Sequence, residues 1–226
     1  MARPLLALLH LCDSLFPIGG FGYSDGLEAA TTMGLVDTSA DLQAWLDVCL
    51  DEVVGRMDGP AVLRAWSEFE RRDLEALCEL DEEITAMRAS SATRRSSRAM
   101  GLRLVTTWGA LYPDRRLEQL LDLARVQSLG PALPIAFGCA CASAGVGTRD
   151  AGAAFAYTRL ASTTSAALRL MRIGQTDAHA RLAKTLERVP SVVEAMATRA
   201  RPESFTPAMD LAAMTQQYLH SRLFRS

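Results

Sequence analysis

The side chains best suited to bind or activate something are few and scattered. The three histidines, His10, His179 and His220, lie far apart in the chain. No His-x-x-x-His or Cys-x-x-Cys pair occurs, so a zinc-type site has no local frame. Cys139 and Cys141 are two positions apart, which on a helix turns them about 200° from each other and prevents joint chelation. The five cysteines, odd in number and irregularly spaced, read as reduced and mostly buried thiols. No Gly-x-x-x-x-Gly-Lys-Ser/Thr loop is present and Lys184 has no glycines around it, which excludes nucleotide binding by that route. Ser143-Ala144-Gly145 lacks the glycine and the strand of a nucleophile elbow. Carboxylate chemistry is what remains. Glu28 and Asp177 are the residues around which a metal-dependent helical enzyme would be built, but no paired spacing of carboxylates and histidines accompanies them. Arg94-Arg95-x-x-Arg98 has the charge to hold a phosphate, although a solvated helix face is the preferred account of it.

Recognition is better represented than catalysis. Residues 13–28 place Gly19, Gly20, Gly22 and Gly26 around Phe21 and Tyr23, with Pro17 just before them. So many glycines exclude an ordinary helix or central strand, and the stretch reads as a shaped loop that presents large side chains. Its glycines are expected to be structurally required; at Gly20, valine would be strained if φ is positive. At the other end, Arg222-Leu223-Phe224-Arg225-Ser226 sets two large apolar residues between arginines. Such a terminus frays unless it docks on its own domain or orders on a partner; the partner is the preferred reading, with the tail dispensable for folding.

These segments need a scaffold, and 226 residues with 49% hydrophobic and 22% charged composition suit one domain with a large core and apolar surface to spare. A formal net charge of −2 gives no field to gather nucleic acid or an anionic membrane. The start fails as a secretory signal, and the apolar run 132–146 is broken by Pro134, Gly138 and Gly145, short of the roughly 20 residues that span a bilayer. A cytoplasmic protein is expected. Helical spacing recurs from end to end and predicts an all-α, single-domain multi-helix bundle, with 1–23 as N-terminal segment and glycine loop and 218–226 as docking tail.

Thr38, with Asp41 three residues on, predicts an N-cap, and an apolar stripe from Leu42 to Met57 follows. Gly55 and Asp58-Gly59-Pro60 predict its end, with Pro60 opening the next helix. An acidic helix from Asp73 and a basic one after Arg88 are expected to lie antiparallel and partly neutralise each other. Residues 133–145, small and apolar all round, predict the central helix. A long helix from Thr148 to about Ile173 is expected next, then shorter ones, with Thr206-Pro207 capping the last. Trp45, Trp66 and Trp108 read as core.

The motifs resemble those of one family. Residues 13–28 are similar to the signature Asp-x-x-Leu-Pro-x-Gly-x-Phe-x-x-Ser-x-Gly-Leu-Glu of the F-type urease accessory proteins (the UreF family), with Phe16 in place of leucine. Arg94-x-x-Ser97-x-x-Met100-Gly101, Pro134-Ile135-Ala136-Phe137-Gly138, Arg172-Ile173-Gly174-Gln175-Thr176-Asp177 and the terminal Asp210-x-x-x-Met214 with 222–226 resemble its later elements, in order. Leu133 and Gln216-Gln217 depart from the pattern, standing where histidine and His-Glu are usual. The resemblance implies a non-enzymatic, dimer-forming scaffold. It would join a D-type (H-type) accessory protein and a G-type GTPase and deliver nickel to apo-urease with GTP hydrolysis; nickel would pass through the complex and no cofactor would be held tightly. It further implies partner binding by Phe16, Pro17, Gly20, Phe21, Tyr23, Ser24, Gly26 and Glu28, by Gln175, and by Arg222, Leu223, Phe224, Arg225 and Ser226, with no catalytic and no metal-ligating residue.

Overall fold

A helix with no charged residue has no face to give to water, so Leu133–Ser143 must be covered on every side. In the computed structural model, which describes residues 2–199 and 201–225, Leu133 through Ala142 are all buried. Among the described residues the regular elements are helices: α1 Ala2–Leu11, α2 Leu27–Thr32, α3 Ser39–Val48, α4 Gly59–Arg71, α5 Leu74–Ala86, α6 Ser91–Leu111, α7 Arg115–Arg125, α8 Leu133–Ser143, α9 Thr148–Leu170, α10 Gln175–Leu186, α11 Val189–Ala197 and α12 Pro207–Thr215. Helix α8 is the centre, packed by α4, α5, α6, α7 and α9. Small side chains set that packing: a Cβ on Gly138 would run into the Val62 carbonyl of α4, and one on Gly101 of α6 into the Pro131 carbonyl. Phe137 and Phe155 meet edge to face at 5.3 Å. Trp45 and Trp108 are core, as expected, while Trp66 is half-buried against it; two find partners for their ring N–H: Trp108 donates to Ser143 Oγ at 3.0 Å and Trp66 to the Val146 carbonyl at 2.7 Å. One hydrophobic cluster extends from Ala7 to Phe224.

The first long helix departs from expectation. Thr38 and Asp41 form the capping box, and Thr38's N–H and hydroxyl hold the Asp41 carboxyl below its usual range. The chain does not then break at Gly55 or Asp58-Gly59-Pro60. It runs on from α3 through a π-helical stretch, Cys49–Asp58, directly into α4. A proline inside a helix removes one donor and leaves the carbonyl four residues back without its bond. Here that carbonyl, of Arg56, accepts from the N–H of Glu203 at 2.8 Å, and the wider π turn lets the Gly59 N–H reach Val54 five residues back.

The acidic and basic helices do not pair as antiparallel neighbours. Helix α5 packs on α4 and α8, and among the described residues its one ion pair to α6 is Arg98 with Asp81 at 3.9 Å. Asp81 instead accepts from Gly130 and Ala132 N–H at 3.0 and 2.6 Å, fixing the entry to α8; burial raises its pKa against those two bonds. Helix α9 ends at Leu170, and Thr206 bonds Asp210 at 3.2 Å instead of capping the α12 backbone with its side chain. Helix α1 turns Ala7 and Leu11 inward and leaves Leu5, Leu6 and Leu9 exposed. Among the described residues no helix is long and apolar enough to cross a membrane.

Candidate functional site

The glycine loop is built by a few local bonds. Asp13 Oδ1 accepts from Leu15 N–H at 2.9 Å, and Phe16 N–H reaches the Asp13 carbonyl at 2.9 Å. Positive φ falls at Gly19 (+80°), Asp25 (+50°) and Gly26 (+89°), with a single 3₁₀ turn over Gly20–Gly22 between them. Gly20 is not in the left-handed region, and a Cβ there would meet its nearest neighbours, Ile18 and Met100, only at 3.9 Å, so the expected strain belongs to Gly19 and Gly26. At Gly26 a Cβ would lie 2.8 Å from the backbone nitrogen of Ala213, because α12 crosses the start of α2 with backbones nearly touching.

That crossing delivers the tail to the loop. After α12 comes one 3₁₀ turn, Gln216–Tyr218, and then an irregular tail that bends at His220-Ser221 and again at Leu223-Phe224. Glu28, buried in the first turn of α2, accepts the backbone N–H of Leu223 on Oε1 and that of Phe224 on Oε2 at 3.2 Å. Its Oε2 also accepts from Gln216 Nε2 at 3.0 Å, and Gln216 Oε1 accepts from Ser24 Oγ at 3.1 Å. The N–H of Arg225 donates to the Gly22 carbonyl at 2.8 Å. Phe224 is 2% exposed, and the Arg169 guanidinium of α9 lies 4.2 Å over its ring while donating to the Phe21 carbonyl at 3.0 Å. Loop, tail and α9 thus make one face.

The expected site residues sort by depth. Phe16, Ser24, Gly26, Glu28 and Phe224 are buried and out of a partner's direct reach. Phe16 is core, edge-on to His10 at 5.4 Å and beside Trp108. Both large apolar residues of the tail were expected on a partner, yet only Leu223 faces out, 63% exposed; Phe224 packs on its own domain, its ring covered by Arg169 and its backbone held at its own N–H and at that of Arg225. Pro17, Phe21, Arg222, Leu223 and Arg225 are exposed, while Gly20 and Tyr23 are half-buried. Gln175 is also exposed, but it opens α10, which packs on α3 and α9. Ser226 lies outside the described residues. Two participants went unread. Arg169 carries no signal in its neighbours, and Gln216 was legible only as a departure from the family pattern.

Under the loop sits a largely buried charge cluster, with Asp58 the most enclosed of its members. Asp25 pairs with Arg159 of α9, and Asp58 with Arg88 at 2.6 Å. Burial pushes the Arg159 guanidinium down, but the Asp25 and Asp58 carboxylates more than offset it, so the group stays charged. A cavity of about 60 Å³ touches both arginines, lined also by Trp45, Cys49, Thr206 and Asp210. The Nε atoms of Arg88 and Arg159 are buried and have no protein partner among the described residues.

Metal chemistry finds little here. Among the described residues no three His, Cys, Asp or Glu side chains converge. Glu28 is occupied by the tail, and Asp177 by Arg181 at 3.0 Å. Burial pushes the thiols of Cys12 and Cys49 up to about 11 and those of Cys139 and Cys141 higher, so they are neutral near pH 7.

Comparison with known proteins matches a family model described as UreF to residues 36–186. The chain is similar to a urease accessory protein UreF from Methylibium petroleiphilum, 33% identical over 232 residues that cover all of this chain and 95% of the relative. It is likewise similar to one from an Azoarcus species, 31% identical over 99% of this chain and 96% of that protein. A bifunctional urease accessory protein UreEF of Bordetella bronchiseptica matches at 32% identity over all of this chain and 52% of its own length.

Proposed function

Because the chain belongs to the UreF family of urease accessory proteins, we propose that it works in the maturation of urease as a non-catalytic scaffold in the cytoplasm. It joins a D/H-type accessory protein and a G-type GTPase, as a homodimer, into a complex that delivers nickel to apo-urease while the GTPase hydrolyses GTP. The observation that carries this reading is the loop–tail face. Its shape comes from backbone bonds and a buried carboxylate, and what it presents to solvent is recognition chemistry: Phe21 and Leu223 exposed beside Arg103, Arg169, Arg222 and Arg225, none of which pairs with a carboxylate among the described residues. Exposed apolar residues among arginines that lack a carboxylate partner suit an acidic protein surface. The name of the Bordetella relative, which couples E and F functions in one chain, agrees with a role inside a larger accessory assembly.

The competing reading, a metal-dependent helical enzyme at Glu28 and Asp177, loses its ligands to the tail and to Arg181. The test is co-purification of the tagged protein with the D/H-type protein, the GTPase and apo-urease, together with calorimetry on the protein alone. The three-protein complex should form only when this chain is present, and the isolated chain should hydrolyse neither GTP nor urea. A one-to-one nickel site of submicromolar affinity in the isolated protein would overturn the scaffold reading.

A further inference from the structure

We propose that Glu28 is the positioning residue of the C-terminal tail, a single buried carboxylate that decides which tail side chains face inward and which face out. The inference deepens the scaffold reading and rests on it only for what the outward side chains meet. Glu28 lies in the first turn of α2, is almost fully buried and forms no ion pair among the described residues. Its charge is answered by N–H groups alone: two consecutive backbone N–H groups of the tail and one side-chain amide. Two adjacent N–H groups converging on one anion make a nest, which fixes the local backbone. With the backbone of Leu223 and Phe224 so fixed, the Phe224 ring goes under Arg169, and Leu223 is turned to solvent between Arg222 and Arg225.

Gln216 holds the carboxylate in that orientation. Fully buried, it donates to Glu28 with one end and accepts from Ser24 with the other, so the glycine loop, α2 and the tail are tied through one amide. A glutamine at position 28 would keep the size and lose the match. Its amide offers one accepting oxygen where Glu28 offers two, and its NH₂ would face a tail N–H or the Gln216 amide, donor against donor.

The test uses the full-length protein and two variants, Glu28→Gln and Gln216→Ala, read by hydrogen–deuterium exchange of the peptide 218–225 against peptides of α8, by trypsin cleavage after Arg222, and by co-purification with the D/H-type protein and the GTPase. In Glu28→Gln the tail should exchange about tenfold faster or more while α8 is unchanged, trypsin should cut after Arg222, and co-purification should fall. Gln216→Ala should do the same more weakly. A tail as protected as in the parent protein overturns the positioning role, and so does equal loss of protection in tail and α8, which would make Glu28 a general stabiliser. A freed tail with undiminished co-purification upholds the positioning role and overturns the partner face. Lost co-purification with a protected tail does the reverse.

Discussion

Where α4 crosses α8, two backbones meet because side chains are missing: Gly138 leaves room for the Val62 carbonyl, and alanines and cysteines fill the rest. Where the tail meets the glycine loop, contact is made by polar groups. Glu28, Gln216 and the Gly22 carbonyl hold the backbone, and one ring, Phe224, is the apolar anchor. The first contact has nothing to release, since separating it exposes an all-apolar helix. The second is a set of about four bonds that can break without opening the core. A scaffold that must change partners has use for both kinds, a core that does not yield and a face that can.

The comparison breaks most violently at Gly138. Leucine there would force α4 and α8 apart, and overpacking of a filled core costs about 3 kcal/mol or more. In a chain of this size that is a fall in melting temperature of about 6–12 °C, or failure to fold. A melting curve within about 2 °C of the parent protein would show that the backbones do not approach as described.

A pair of phenylalanines sharpens it. Phe155 and Phe224 are both buried, but Phe155 sits between α8 and α9 while Phe224 belongs to a strap. Phe155→Ala should cost about 3–5 kcal/mol. Phe224→Ala should cost the bundle no more than the docking free energy of the tail, about 1–2 kcal/mol, because the tail can leave while the helices stay folded. Denaturant midpoints measured by circular dichroism decide it, and equal losses for the two variants would merge core and face into one cooperative unit.

How much of this could be read beforehand follows from where the deciding partners lie. The central helix was legible because a run such as Ile135-Ala136-Phe137-Gly138-Cys139 is informative by itself: it has no polar face. The loop was legible because glycine and proline act on their own backbone. The unbroken passage from α3 into α4 was not, since Asp58-Gly59-Pro60 is a local stop signal and its remedy, the Glu203 N–H, comes from a loop far along the chain. The role of Glu28 was hidden for the same reason. It was singled out as a site residue from the family motif, but its partners are the N–H groups of Leu223 and Phe224, 195 and 196 positions away, and backbone N–H groups carry no residue identity.

The smallest effect, at Gly20, is set by contrast with another glycine of the same loop. Gly26 has φ of +89°, and an added Cβ would sit 2.8 Å from the nitrogen and 3.1 Å from the Cα of Ala213, both backbone atoms that cannot rotate away. Gly26→Ala should therefore cost about 1–3 kcal/mol and displace α12, carrying Gln216 off Glu28. Gly20 has an ordinary φ and open space to 3.9 Å. Gly20→Ala should change stability by less than about 0.5 kcal/mol, or raise it slightly, because alanine has fewer unfolded conformations to lose. Chemical denaturation of the two variants side by side gives the difference, and exchange of the tail peptide gives its cause: faster in Gly26→Ala, unchanged in Gly20→Ala. If Gly20→Ala proved the more damaging, the loop's shape would come from its own turn over Gly20–Gly22, and the crossing of α12 over α2 would not be what sets the face.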